Sequence, residues 1–128
     1  MGARAHRAQR MQAVQAQLHR VEEWKMADLA FRLAELEHNQ QALIASLNSD
    51  GDLRGLFVAA IARRLGRLAQ EAAQVSVEKE AQALSLLEQA GRVICAAQLA
   101  EKRVAEDRSR QERQLLLEAI ERYVGRTP

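Results

Sequence analysis

Apolar side chains return every third or fourth residue over most of this chain. Met11, Val14, Leu18 and Val21 make one such series. Leu29, Leu33, Leu36, Leu43 and Leu47 make a second, with Gln40 in the missing slot. Steps of three and four place side chains on one face of a helix. The spacing predicts a helix over about residues 5–48. Lys25 links the two series through consecutive steps of four, which reads as a stutter that locally unwinds a supercoil. Trp24, Ala27, Phe31 and Ala34 form a neighbouring stripe, so Trp24 and Phe31 are expected to widen the core.

Asn48-Ser49-Asp50-Gly51-Asp52 breaks the pattern. Asn48 suits a left-handed helix end, Gly51 is permissive, and Asp50 or Asp52 can cap a following helix. The turn is expected at about 49–52. Apolar spacing resumes at Leu53 and predicts a second helix over about 53–124. Its seam is Phe57, Ile61, Leu65, Leu68, Ala72 and Val75, then Leu86, Ala90, Val93, Ala97, Ala100 and Val104. Lys79 and Gln82 occupy seam positions between the halves. Gly55, Gly66 and Gly91 lie inside the pattern, and the helical flanks predict that the helix passes through Gly91. A short connection between two helices makes them antiparallel neighbours. The expected fold is all-α: residues 1–128 form a single long antiparallel two-helix coiled-coil hairpin with a longer second helix.

Charge supports folding at that turn. Residues 1–20 carry +4, residues 21–50 carry −4, residues 51–70 carry +3 and residues 71–100 carry −2. A fold at Gly51 sets the −4 block beside the +3 block and the +4 block beside the −2 block, which favours that register. If paired positions sum to about 101, residues 3–48 consume residues 53–98 and leave 99–124 over. The left-over arm ends in Leu115, Leu116, Leu117, Ile120, Tyr123 and Val124. An apolar arm end of this kind needs a cover. A homo-oligomer, another protein or a fold-back after Gly91 would each supply one.

Composition narrows the chemistry. The chain is 48% hydrophobic but has only four aromatic residues, Trp24, Phe31, Phe57 and Tyr123, which suits thin helix seams more than a thick core. The net charge is +2, from 19 basic and 17 acidic residues. Such balance argues against a nucleic-acid partner, although Arg-rich faces at the start and at Arg63, Arg64 and Arg67 keep a helical nucleic-acid-binding or nucleoid-associated protein as the alternative. No apolar run is long enough to insert in a membrane, and no secretory signal follows the basic start. A lone Cys95 excludes an internal disulfide framework and is expected to be a small buried or half-buried side chain near Val93. A cytoplasmic protein is expected.

Candidate chemistry is sparse. Glu35-x-x-His38 has the spacing of a di-iron half-site, but that chemistry needs the motif twice with two further carboxylates. His6 and His19 have no spaced partners, and there is no Gly-rich phosphate loop. No catalytic, cofactor-binding or metal residues are assigned, and a protein that is not an enzyme is expected. The candidate partner-binding residues are Leu116, Leu117, Ile120, Tyr123 and Val124 at the apolar end, and Arg4, Arg7 and Arg10 at the acid-free start, where they can dock an acidic partner. These are read as two ends of one rod, one apolar and one basic.

The opening helix with Leu18-His19-Arg20-Val21-Glu22-Glu23-Trp24-Lys25 and the Glu/Arg-rich stretch from Glu101 to Arg113 resemble the FliJ/YscO family, over most of the chain. Those proteins are coiled-coil stalk components of flagellar and type III secretion export. The resemblance implies a stalk or adaptor without enzymatic activity. Its partners would be an export ATPase, an export gate or escort chaperones, and its place the cytoplasmic side of a membrane-bound export complex. No family motif maps onto numbered positions, so no residue role is carried over.

Overall fold

The structure is a computed structural model, and it describes residues 2–48 and 54–126. The described residues form two α-helices that pack against each other, α1 (Ala3–Asn48) and α2 (Arg54–Arg126), with no strand among them. The first has 46 residues and the second 73. Of the expected turn, Asn48 is the last residue of α1, and the rest lies outside the described residues. The helix periodicity of the sequence is thus realised as two uninterrupted helices. No proline falls inside either of them, so no backbone donor is lost from their ladders.

Helix α2 passes through Gly66 and Gly91 without a break. A Cβ built at either position meets nothing within 4 Å. Each glycine therefore costs helix propensity and supplies no close approach in return. Gly66→Ala and Gly91→Ala are each expected to add about 1 kcal/mol of stability. Urea unfolding of the single and double variants checks this. A loss of stability in either would show that the glycine holds a conformation that alanine cannot.

Burial follows the expected seam along most of α2. Ile61, Leu65, Leu68, Ala72, Lys79, Gln82, Leu86, Ala90, Val93, Ala97 and Val104 are half-buried, and Val75 and Ala100 are buried. Phe57 is exposed and does not join them. In α1 the second apolar series holds, because Leu29, Leu33, Leu36, Gln40, Leu43 and Leu47 are half-buried. The first series does not hold. Met11, Val14, Leu18 and Val21 are all exposed, at 53%, 52%, 45% and 45%.

The seam instead continues backwards from Leu29 through Met26, Glu22, His19, Gln15, Ala8 and Ala5, all buried or half-buried. With exposed Gln12 included, the steps from Ala5 to Leu47 alternate three and four throughout, so α1 contains no stutter. The physical reason is continuity. The α2 seam keeps an unbroken heptad through Leu86, Gln89, Val93, Ala96, Ala100, Arg103 and Asp107, with the expected Ala90, Ala97 and Val104 one position beside it, and a stutter in one helix alone would rotate its face away from the other. Trp24 and Phe31 lie two residues beyond the seam positions Glu22 and Leu29, and two before Met26 and Leu33, so they point away from α2. They are exposed, Trp24 at 79%, and do not pack in the core. Cys95 falls between the seam residues Val93 and Ala96 and is likewise exposed, not half-buried.

The chain divides into two compact units. One takes Met1–His19 with Glu88–Pro128, and the other takes Arg20–Leu87. In the first unit, Ala5 and Ala8 of α1 and Ala96 and Ala100 of α2 are buried, and such small side chains let backbones approach closely. The Gln89 amide, itself buried, donates to Gln15 Oε1 at 2.7 Å and to the Gln15 carbonyl at 3.2 Å. The Gly2 amide donates to Asp107 Oδ2 at 2.9 Å, and the Gly2 carbonyl accepts the His6 N–H at 3.1 Å. Asp107 thus caps α1 from the other helix, satisfying one of the orphan donors at its start. A Cβ at Gly2 would stand 2.7 Å from Asp107 Oδ1, so a larger residue here would have to displace the Asp107 carboxylate.

In the second unit, Leu and Ile side chains build the seam around Val75. Arg32 of α1 and Glu78 of α2 approach at 4.0 Å. This ion pair joins the 21–50 block to the 71–100 block. Hydrogen bonds, more than block charges, connect the helices.

Candidate interaction surfaces

The apolar candidates occupy the last three turns of α2. Seam burial on α2 ends at Asp107, and every residue from 108 to 126 is exposed, including Leu116, Leu117, Ile120, Tyr123 and Val124. The left-over arm is therefore 108–126, shorter than the predicted 99–124. Within 99–107, Ala100 and Asp107 are buried and Arg103 and Val104 half-buried, and Asp107 accepts the Gly2 N–H. Within the arm, Arg122 and Glu118 approach at 4.0 Å on successive turns. That exposed pair adds little to stability.

Arg4, Arg7 and Arg10 lie on the exposed first turns of α1. Arg4 borders a hollow with Gly2, Arg103, Glu106, Asp107 and Arg110. Glu106 is already held by Arg103 at 3.1 Å. Arg4 therefore sits beside the Asp107 region of α2. Arg110 precedes Leu116 by less than two helical turns. The basic and apolar candidates thus belong to one compact unit.

Elsewhere the polar chemistry serves the seam. Glu22 accepts hydrogen bonds from the Gln82 amide and from the Ser85 hydroxyl at 3.2 Å, and Lys25 approaches it at 3.5 Å. The Gln82 amide also donates to the Glu22 carbonyl at 3.1 Å. The Gln82 bond holds the Glu22 carboxyl below its ordinary range; desolvation opposes this, while Ser85 and Lys25 reinforce it. A depressed carboxyl pKa contributes stability above the unfolded value, and the contribution is lost as pH falls through the folded value. Glu22→Gln is therefore expected to lower the Tm at neutral pH and to match the unchanged chain once pH falls below the carboxylate range. Thermal unfolding from about pH 7 to about pH 3 reads this. A Tm gap that stays constant with pH would rule it out.

Glu35 and His38 are both exposed. Glu35 borders a cleft with Arg32, Leu36, Glu71, Val75 and Glu78, which brings three carboxylates around one guanidinium without an imidazole or thiol. Among the described residues no group of three or more His, Cys, Asp or Glu could hold a metal ion. Among the described residues no helix is long and apolar enough to cross a membrane. The sequence reading missed the α1 flank of Met11, Val14 and Leu18 as a surface, because their size placed them in the seam. The small and polar residues one position further on were the signal for the true seam. No protein-family model, curated protein or solved structure matches this chain.

Proposed function

We propose that this chain is a non-enzymatic coiled-coil interaction protein, an antiparallel two-helix hairpin whose second helix outruns the first. Order of pairing supports the antiparallel part. In one unit Gly2 meets Asp107 and Gln15 meets Gln89; in the other Glu22 meets Gln82 and Ser85, and Arg32 meets Glu78. Partner numbers fall along α2 as they rise along α1. The observation that carries the interaction role is the arm beyond Asp107, which exposes Leu116, Leu117, Ile120, Tyr123 and Val124 together. A run of that kind on a helix end is a docking element for another protein.

The resemblance to FliJ/YscO proteins supports a finer reading: a stalk or adaptor of a flagellar or type III export apparatus. It would work in the cytoplasm, peripheral to the membrane-bound complex, and touch the export ATPase, gate or chaperones. The test is co-purification with those components and ATP turnover of the ATPase with and without the chain. Stimulation that is lost in Leu116→Glu/Ile120→Glu supports this role, and no binding to any of the three ends it. Arg63, Arg64 and Arg67 are exposed within two turns of α2, which supports the alternative of an Arg-face nucleic-acid-binding protein. That reading requires binding to duplex DNA with a steep salt dependence.

A further inference from the structure

The face of α1 left open by the seam has the form of a second seam. Arg4, Arg7, Met11, Val14 and Leu18 follow one another in steps of three and four, one position before or after the residues that face α2. All five are exposed. A heptad stripe is the pattern one helix presents to another, and here α2 does not take it, because α2 packs on Ala5, Ala8, Gln15 and His19. Leu99 of α2 immediately precedes the buried Ala100, as Leu18 immediately precedes the half-buried His19. In an antiparallel pair such positions share a flank. Leu99 is exposed at 43% and extends the apolar strip across to α2.

We propose that this flank of the first unit is a docking groove for a third helix, contributed by a partner protein and acidic along the edges of its apolar stripe. This rests on the antiparallel reading above and names the partner chemistry for it. Charge commits the occupant. Residues 1–20 contain no acid, and Arg4 and Arg7 continue the apolar stripe itself. Among the described residues neither has an ion-pair partner, and Glu106 on this flank is occupied by Arg103. A second copy is a poor occupant. Its exposed arm, residues 108–126, carries five Arg against three Glu and would bring like charge to the arginines. A lipid surface fits less well, because the exposed aromatics Trp24 and Phe31 lie on a different face of α1 and none lies on this one.

The probe is a fluorescent synthetic helix of about four heptads, with Leu at the a and d positions and Glu at e and g, titrated with the full chain. Saturable binding is expected, with a Kd below about 100 µM. Met11→Glu/Leu18→Glu should abolish it, and Arg4→Glu/Arg7→Glu should weaken it about tenfold or more. Both pairs are surface positions, so helicity and Tm should hold, and circular dichroism confirms that. Leu116→Glu/Ile120→Glu should leave peptide binding unchanged. No saturation, equal binding of a Lys-edged peptide, loss of binding only in the Leu116/Ile120 variant, or preference for anionic vesicles over the peptide would each overturn the proposal. A Gln15→Cys/Gln89→Cys disulfide, made with Cys95→Ser, reports the pairing of the two helices independently. If it forms and the peptide does not bind, the groove alone is refuted. If it does not form, the antiparallel reading falls first.

Discussion

Val75→Asp is expected to unfold the Arg20–Leu87 unit at ordinary temperature. Val75 is 4% exposed, the most buried described side chain of that unit. A carboxylate there loses its water and gains no partner. Arg32 in the same cleft is already beside Glu78, and Glu35 and Glu71 add like charge. An uncompensated buried charge costs about 3–5 kcal/mol, a large share of the roughly 5–15 kcal/mol that holds a domain together. The seam is thin, so few other contacts can offset it. Val77→Asp, two residues along, makes the same chemical change on the outer face, where Val77 is 65% exposed. That variant should stay within about 0.5 kcal/mol of the unchanged chain. Thermal and urea unfolding by circular dichroism compares the pair. Equal effects would mean that α2 does not bury the face described for it.

The contrast between Val75 and Val77 also shows what the sequence discloses. In α2 large apolar residues mark the seam from Ile61 to Leu86, and period alone finds it. Gly91 is readable for the same reason, since its flanks are helical and no second breaker accompanies it. In the first half of α1 the marker fails. The residues facing α2 there are Ala5, Ala8, Gln15, His19 and Glu22, and the larger Met11, Val14, Leu18 and Val21 lie beside them. Hydrophobic size locates a seam only when burial is driven by size. Here close approach of small residues and amide hydrogen bonds do that work, and the phase of α1 is set by the continuous heptad of α2. The apolar arm at Leu116 to Val124 was legible, because an apolar run beyond the paired length has no face to bury against. Its start was not legible, because Asp107 acts through a long-range contact with Gly2 that no local pattern announces.

Replacing the polar layers of the seam should raise stability and then cost specificity, in that order. Gln89 is 5% exposed and spends its amide on Gln15. Removing both partners of a buried hydrogen bond leaves nothing unsatisfied, and two leucines in a seam bury apolar surface instead. Gln15→Leu/Gln89→Leu is expected to gain about 1–2 kcal/mol, seen as a higher urea midpoint. Its mass in solution should not change, because Glu22, Gln82 and Ser85 still tie the second unit in one register. Adding Glu22→Leu and Gln82→Leu removes that tie as well. Uniform leucine layers no longer distinguish one alignment from another, since a polar residue at a seam position specifies register and partner number at a cost in stability. The four-leucine chain should therefore melt higher still and associate into mixed oligomers in light scattering. If it keeps the mass of the unchanged chain, small residues such as Ala5, Ala8, Ala96 and Ala100 set the alignment, and the polar layers serve another purpose.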